Sequence, residues 1–397
     1  MAMKMTEAEI TEKIEDFFQV SSLWTDEERD VQHMIRQFVD EHVKPYAGQW
    51  WQQGEFPREL IPELGHLGVF GPNLPEAYGG SGVSPLVYGL MMQELERGDS
   101  GLRSFASVQG ALAMYAIYRY GSEEQRRTYL PAMARGEIIG CFGLTEPDAG
   151  SDPGSMLTRC REDGDAYVIS GAKRWITNGH IADVAIVWAK DEAGAVRGFI
   201  VPTETQGFSA RPIKTKASMR MSATSELYLD DVRVGKDMRL PHADGLGAPL
   251  SCLTQARYGI VWGTIGAAMD CLVECARYAT TRIAFGQPIA TKQLVQERVV
   301  DMQTRLLNMQ LMARQLGILY QSGQLAYTQV SLAKRHNARA ALEVGRMARE
   351  LLGGNGISTD YAAIRHMANL ETVDTYEGTY EIHTLIVGRG ILGQSAF

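Results

Sequence analysis

Cysteine is scarce, with five in 397 residues. Cys141, Cys160, Cys252, Cys271 and Cys275 are odd in number and include no CxxC pair, which excludes a disulfide framework and a zinc cluster. Cys271 and Cys275 stand four apart in a helical pattern and read as buried thiols, and the set fits a reducing compartment, the cytoplasm. No run of about 18 apolar residues occurs, so no membrane insertion is expected. The first residues, MAMKMTEAEITEKIEDFF, are acidic without an apolar core, unlike a secretory or transit leader. Basic charge is outweighed: 39 Lys and Arg against 47 Asp and Glu leave a net charge of −8. With no basic block either, nucleic acid is not an expected partner. There is no Walker A loop, no GxSxG elbow and no HExxH, so nucleotide hydrolysis, serine hydrolysis and zinc chemistry lose their usual support, and no metal is expected.

What is present is an ordinary globular composition, 45% hydrophobic and 22% charged, in a length that suits two or three domains. The chain divides into three textures. Residues 1–140 read as helices. Asp26 to Val43 carries Val31, Met34, Ile35, Phe38 and Val39 on one face, and Pro85 to Arg97 begins with a proline where helices tolerate it. Ser122 with Gln125 forms a capping box for a helix from Glu123 to Met133, which Gly136 ends. Residues 141–245 turn to short β-favouring runs between Gly, Asp and Asn turns: Tyr167–Ser170, Val184–Ala189, Gly198–Val201 and Glu226–Val234. Residues 246–397 are helical again, with Leu253 to Tyr278, Lys292 to Tyr320 and Ser331 to Leu352, the last stopped by Gly353 and Gly354. Helices, then strands, then helices do not make a doubly wound sheet; the order reads as α+β, mainly α.

Several segments carry chemistry only in combination. Gly79-Gly80-Ser81-Gly82 and Gly353-Gly354-Asn355-Gly356 are phosphate loops or plain turns. Cys141 to Asp152 runs from a strand into a loop of hydroxyls and glycines that offers donors to a polar ligand edge. In Trp175-Ile-Thr-Asn-Gly179 a Trp beside a Thr either packs on a flat heteroaromatic ring or closes a strand. Glu377, in Asp374-Thr-Tyr-Glu-Gly-Thr379, is a loop carboxylate unless low polarity raises its pKa into the range of a useful base. Glu96 to Ser104 clusters charge before an apolar helix: a solvated helix end, or a pocket wall in which Arg103 grips a carboxylate.

Together these segments resemble the acyl-CoA dehydrogenase family. FGLTEPDAGSD (142–152), WITNG (175–179), RIAFGQPI (282–289), LLGGNG (351–356) and TYEGT (375–379) occur in the family's order and spacing over essentially the whole chain. DSGLRS (99–104), CFGLTEP (141–147), LTQARYGIVWG (253–263), IHTLIVGR (382–389) and the ending ILGQSAF are similar to glutaryl-CoA dehydrogenases within it.

The resemblance implies an N-terminal helical domain, a middle β-domain and a C-terminal four-helix bundle, with FAD between the last two. By resemblance, Leu144, Thr145 and Ser151 lie along the flavin and its side chain, Trp175 packs near the ring, Thr177 hydrogen-bonds around N5, and Thr379 lies by the phosphates. Arg282, Phe285, Gly353, Gly354 and Gly356 would reach the FAD of a neighbouring subunit, which implies a homotetramer. Glu377 matches the family's base. Some branches place the base just before Arg257 instead; Ala256 stands there, which leaves Arg257 as an orienting residue. Arg103 is the implied anchor for the carboxylate of glutaryl-CoA, with Glu96, Ser104 and Ser107 completing its pocket and Tyr376 beside the base. The implied reaction is α,β-dehydrogenation with hydride passing to flavin N5, then decarboxylation to crotonyl-CoA and CO2, within lysine and tryptophan degradation. An electron-transfer flavoprotein is the implied acceptor.

Two departures stand out: Gly98 replaces a bulkier apolar residue, and Tyr380-Glu381 replaces His-Asp. The alternatives are a dehydrogenase of another short acyl-CoA, a non-decarboxylating glutaryl-CoA enzyme, a flavin oxidase and a non-catalytic flavoprotein.

Overall fold

The computed structural model describes residues 6–396. The first five residues of the stretch read for a leader, and Phe397 of the ILGQSAF ending, lie outside the described residues.

Asp26–His42 is helical, with Ile35, Phe38 and Val39 buried; of the other residues read onto that face, Val31 is half-buried and Met34 is exposed, at the edge of the apolar stripe. Its start is a capping box, in which Thr25 accepts from the Glu28 amide and the Glu28 side chain accepts from the Thr25 amide. The capping box read at Ser122 is formed, opening Glu123–Ala134. Pro85–Gly98 is buried on every side from Leu86 onward, the pattern of a helix in the middle of a core. Gly98 lets this helix approach Asp26–His42 and the residue after it. A Cβ there would lie 3.0 Å from Cγ1 of both Val39 and Val43, so a bulkier residue would push the two apart.

The middle of the chain is a seven-stranded sheet: Gly140–Gly143 (β1), Arg159–Asp163 (β2), Ala166–Thr177 (β3), Val184–Lys190 (β4), Val196–Pro202 (β5), Phe208–Pro212 (β6) and Thr224–Gly235 (β7). The order is β1-β4-β2-β3-β7-β6, with β5 also on β4. β1 runs parallel to β4, and the long pair β3–β7 is antiparallel with two register shifts. One of these falls between Lys173 and Ile176, where Trp175 takes φ +62. Five strands were readable from sequence, β1 among them as the start of the Cys141–Asp152 segment. β2 (RCRED) and β6 (FSARP) were not, because both are largely exposed and carry polar residues where apolar alternation would mark a strand.

The last third is built round Gly247–Thr281, a 35-residue helix. It has the length and hydropathy to cross a bilayer, but 94% of its most apolar window is buried inside the protein, so its apolar character is that of a core helix. Gln293–Gln321 and Tyr327–Leu351 pack against it and each other, and Ala362–Thr375 and Tyr380–Leu392 complete the helical domain. Cys271 and Cys275 are buried, and all five cysteines are free.

Candidate active site

The centre of the site is a junction of four helices. Pro85–Gly98 and Ser100–Ser107 are separated by Asp99, which leaves helical geometry and accepts the Gly101 amide at 2.6 Å. This break brings Glu96 and Arg103 together. Arg103 Nε donates to Glu96 Oε2 at 2.6 Å, and both side chains are without solvent exposure. Glu96 Oε1 accepts from Ser100 Oγ at 2.9 Å, so the carboxylate is bound at both oxygens. Arg103 Nη2 donates to the Tyr376 hydroxyl. Burial works against the Arg103 charge, but Glu96 and Tyr376 hold its pKa above the usual value.

Arg103 Nη1 has no partner and is shut off from solvent, and the buried hydroxyls of Ser107 and Tyr88 lie beside one another. Ser107 is four residues after Arg103 and shares its face; Ser104 is turned about 100° away. An unpartnered buried guanidinium nitrogen is rare enough to need an explanation, and this one suits an anionic group of a ligand.

Glu377 lies in the link between Ala362–Thr375 and Tyr380–Leu392. Its backbone holds φ +52, a left-handed conformation that a residue with a side chain adopts only when its surroundings impose it. Arg257 Nε, from the long helix, donates to the Glu377 carbonyl at 2.7 Å. Glu377 Oε2 is out of solvent and unpartnered. Burial raises the pKa of this carboxyl, against the pull of Arg103, Arg257 and Lys334. The site thus holds a desolvated carboxylate, near enough to Arg103 to feel its charge, which can accept a proton.

A second face lies in the β-domain. The Arg174 amide donates to the Thr145 carbonyl at 2.9 Å, so the end of the Leu144–Thr145 segment lies against the Trp175 turn. Trp175 is 53% exposed, while Leu144 is buried and Thr177 half-buried. The Arg174 guanidinium lies 5.2 Å from the centre of the Trp175 indole, and the half-exposed ring suits a flat polar ligand. Behind this face, Glu146 accepts from Lys173 Nζ and from the amides of Leu157 and Thr158, which pins both ends of the loop carrying Ser151. Ser151 itself is exposed. Thr379 caps Tyr380–Leu392, accepting from the Ile382 amide at 3.2 Å.

Arg282, Phe285 and the Gly353–Gly356 loop form a separate group. Asn355 Nδ2 donates to the Tyr278 hydroxyl at 3.2 Å, which places that loop at the far end of the long helix. From Arg257 to Tyr278 the helix rises about 30 Å, so these residues stand well away from Glu377 within one chain. Phe285 is 94% exposed at φ +53.

Sequence reading missed Lys334 and His383. Lys334 interrupts the apolar stripe of its helix between Val330 and Ala338, a signal available in the sequence. His383 lies fully buried against the Glu377–Gly378 turn.

The chain matches three family domains: "Acyl-CoA dehydrogenase, N-terminal domain" over residues 25–137, "middle domain" over 141–232 and "C-terminal domain" over 243–392. It is similar to the crystal structure of glutaryl-CoA dehydrogenase from Mycobacterium smegmatis, at 50% identity and a TM-score of 0.95, covering 97% of this chain and 99% of that one. A structure of a glutaryl-CoA dehydrogenase from the same organism in complex with FADH2 is 48% identical, with the same TM-score and coverage. The human mitochondrial short-chain specific acyl-CoA dehydrogenase is 32% identical over 90% of this chain and 88% of its own length.

Proposed function

The chain belongs to the acyl-CoA dehydrogenase family, and from that premise we propose that it oxidises glutaryl-CoA and releases crotonyl-CoA and CO2. The observation that carries the substrate is Arg103 Nη1, a buried cationic donor without a partner. The Arg103 charge is already paired with Glu96, but a plain acyl chain would leave Nη1 without an acceptor, whereas the terminal carboxylate of a glutaryl group supplies one. Glu96 spends both oxygens orienting Arg103 and Ser100, Tyr376 fixes a second guanidinium nitrogen, and Ser107 adds a hydroxyl on the same face.

Glu377 is the base. It takes the proton from the α-carbon of the thioester while the second hydrogen leaves the β-carbon as hydride. Its desolvated carboxylate is a stronger base than one in water. Loss of the terminal carboxylate as CO2 breaks a C–C bond whose electrons spread over the new double bond and thioester. The proton held by Glu377 then returns to the γ-carbon, giving crotonyl-CoA.

FAD fits the β-domain face and is the group bound in the M. smegmatis relative as FADH2. Leu144, Thr145, Ser151, Trp175, Thr177 and Thr379 would hold it. When bound it supplies the hydride acceptor. Arg282, Phe285 and the 353–356 loop, remote from Glu377 in their own chain, would complete the cofactor site of a neighbouring subunit. A tetramer would also cover Phe285, Ile283 and Leu294, which are 94%, 57% and 74% exposed. An electron-transfer flavoprotein is the proposed acceptor, and five free thiols suit the cytoplasm.

The reaction is tested by incubating the holoenzyme with glutaryl-CoA and an electron acceptor and weighing the products. Crotonyl-CoA with CO2 is expected; glutaconyl-CoA alone would show oxidation without decarboxylation.

A further inference from the structure

Lys334 rises from Tyr327–Leu351 into the core, 1% exposed. Its Nζ donates to three backbone carbonyls: Asp374 at 3.2 Å, Tyr376 at 3.0 Å and Gly378 at 2.9 Å. An ammonium has three N–H groups and no acceptor, so all its donors are used on alternate residues of one short turn. The carbonyl between the last two, that of Glu377, is the one bound by Arg257. Cationic donors from two different helices therefore hold the backbone on both sides of Glu377 and at Glu377 itself. Within this clasp Glu377 keeps its left-handed φ of +52.

A buried lysine that binds only carbonyls is an expensive way to close a helix link, since a neutral donor would satisfy the same oxygens with less desolvation. Burial pushes the pKa of the Lys334 amine down, against the pull of Glu377 and Asp374, and the three carbonyl acceptors are the geometry of its charged form.

We propose that Lys334 is the positioning residue for Glu377: its three-carbonyl clasp fixes the 374–378 turn so that the carboxylate faces the substrate α-carbon. This rests on Glu377 being the base. Lys334 touches neither substrate nor cofactor in this role. Its removal therefore slows proton removal and leaves acyl-CoA binding in place.

The test uses the holoenzyme with an acyl-CoA analogue carrying sulfur in place of the β-carbon. Such a thioester has an α-proton to lose but no β-hydrogen, so exchange of the α-proton with D2O, followed by mass, reads the base alone. Lys334→Met removes every donor and is expected to slow exchange on the order of ten- to a hundred-fold, the effect of misplacing a reacting group by about 1 Å, with analogue affinity unchanged. Lys334→Gln keeps two donors and is expected to lie between Met and the native residue. It decides the matter alone if Lys334→Met yields no folded holoenzyme. Exchange at the native rate in the variants, or an affinity loss equal to the rate loss, overturns the proposal. Glu377→Gln is the control: it must abolish exchange. If it does not, the assignment of the base falls first and that of Lys334 with it.

Discussion

Arg103 and Glu96 meet through a single 2.6 Å bond between Nε and Oε2, in a place that solvent reaches from neither side. The pair is formed by residues seven apart across a helix break, and its second guanidinium nitrogen goes to Tyr376, next to the base. The group that would select the substrate is thus hydrogen-bonded to the neighbour of the group that would attack it.

Removing the cation from this pair has two separable consequences. Arg103→Met strands the Glu96 carboxylate and should cost about 3–5 kcal/mol of stability, as breaking a buried ion pair does. It should also lower kcat/KM for glutaryl-CoA by roughly a hundred-fold or more, with butyryl-CoA affected less. The double variant Glu96→Gln/Arg103→Met should recover stability in thermal unfolding without recovering selectivity. Equal losses on the two substrates would contradict the assignment.

Gly263 is the point at which the long helix makes room for this pair. A Cβ there would overlap Glu96 Oε2 and come within 3.0 Å of Arg103 Nε. Gly263→Ala, an ordinarily favourable change within a helix, should therefore raise KM for glutaryl-CoA. Steady-state kinetics beside butyryl-CoA check this.

The raised pKa of Glu377 gives two pH signatures. The base works only when ionised, so kcat/KM should fall as pH drops through a value above the ordinary 4.5 of a glutamate. Because the folded pKa is raised, burial of this side chain stabilises the fold below the unfolded pKa, and that contribution is lost as pH rises through the folded value. Glu377→Gln should accordingly raise thermal stability at neutral pH, and the gain should vanish in acid.

His383 has the opposite sign. Burial, with Lys334 and Arg257 nearby, lowers its pKa from 6.5 to about 3. A group depressed on folding stabilises the fold above its unfolded pKa and loses that contribution as pH falls through the folded value. Between pH 6.5 and 3 it should make stability fall with acid by up to about 1.4 kcal/mol per pH unit. Unfolding of His383→Gln across that window should show a shallower slope.

Helices were legible where apolar residues recur on one face, as in Asp26–His42, and at the cap of Ser122, but Glu7–Glu15 was not, although Thr6 and Glu9 form the same kind of capping box. The sheet was legible through its buried strands β4 and β5, and not through the exposed RCRED of β2. Glu377, Arg103 and Trp175 could be named because motifs carry them. That Arg103 is left with one free nitrogen could not be read, since it depends on a helix break at Asp99 and on a tyrosine 273 residues away. Lys334 escaped notice for a related reason: its partners are backbone carbonyls, which look the same in every sequence.

The most direct test of the account is anaerobic addition of glutaryl-CoA and butyryl-CoA, separately, to the purified holoenzyme, following flavin absorbance and identifying the products by mass. The account predicts bleaching by glutaryl-CoA with crotonyl-CoA formed. Bleaching by butyryl-CoA alone would contradict it.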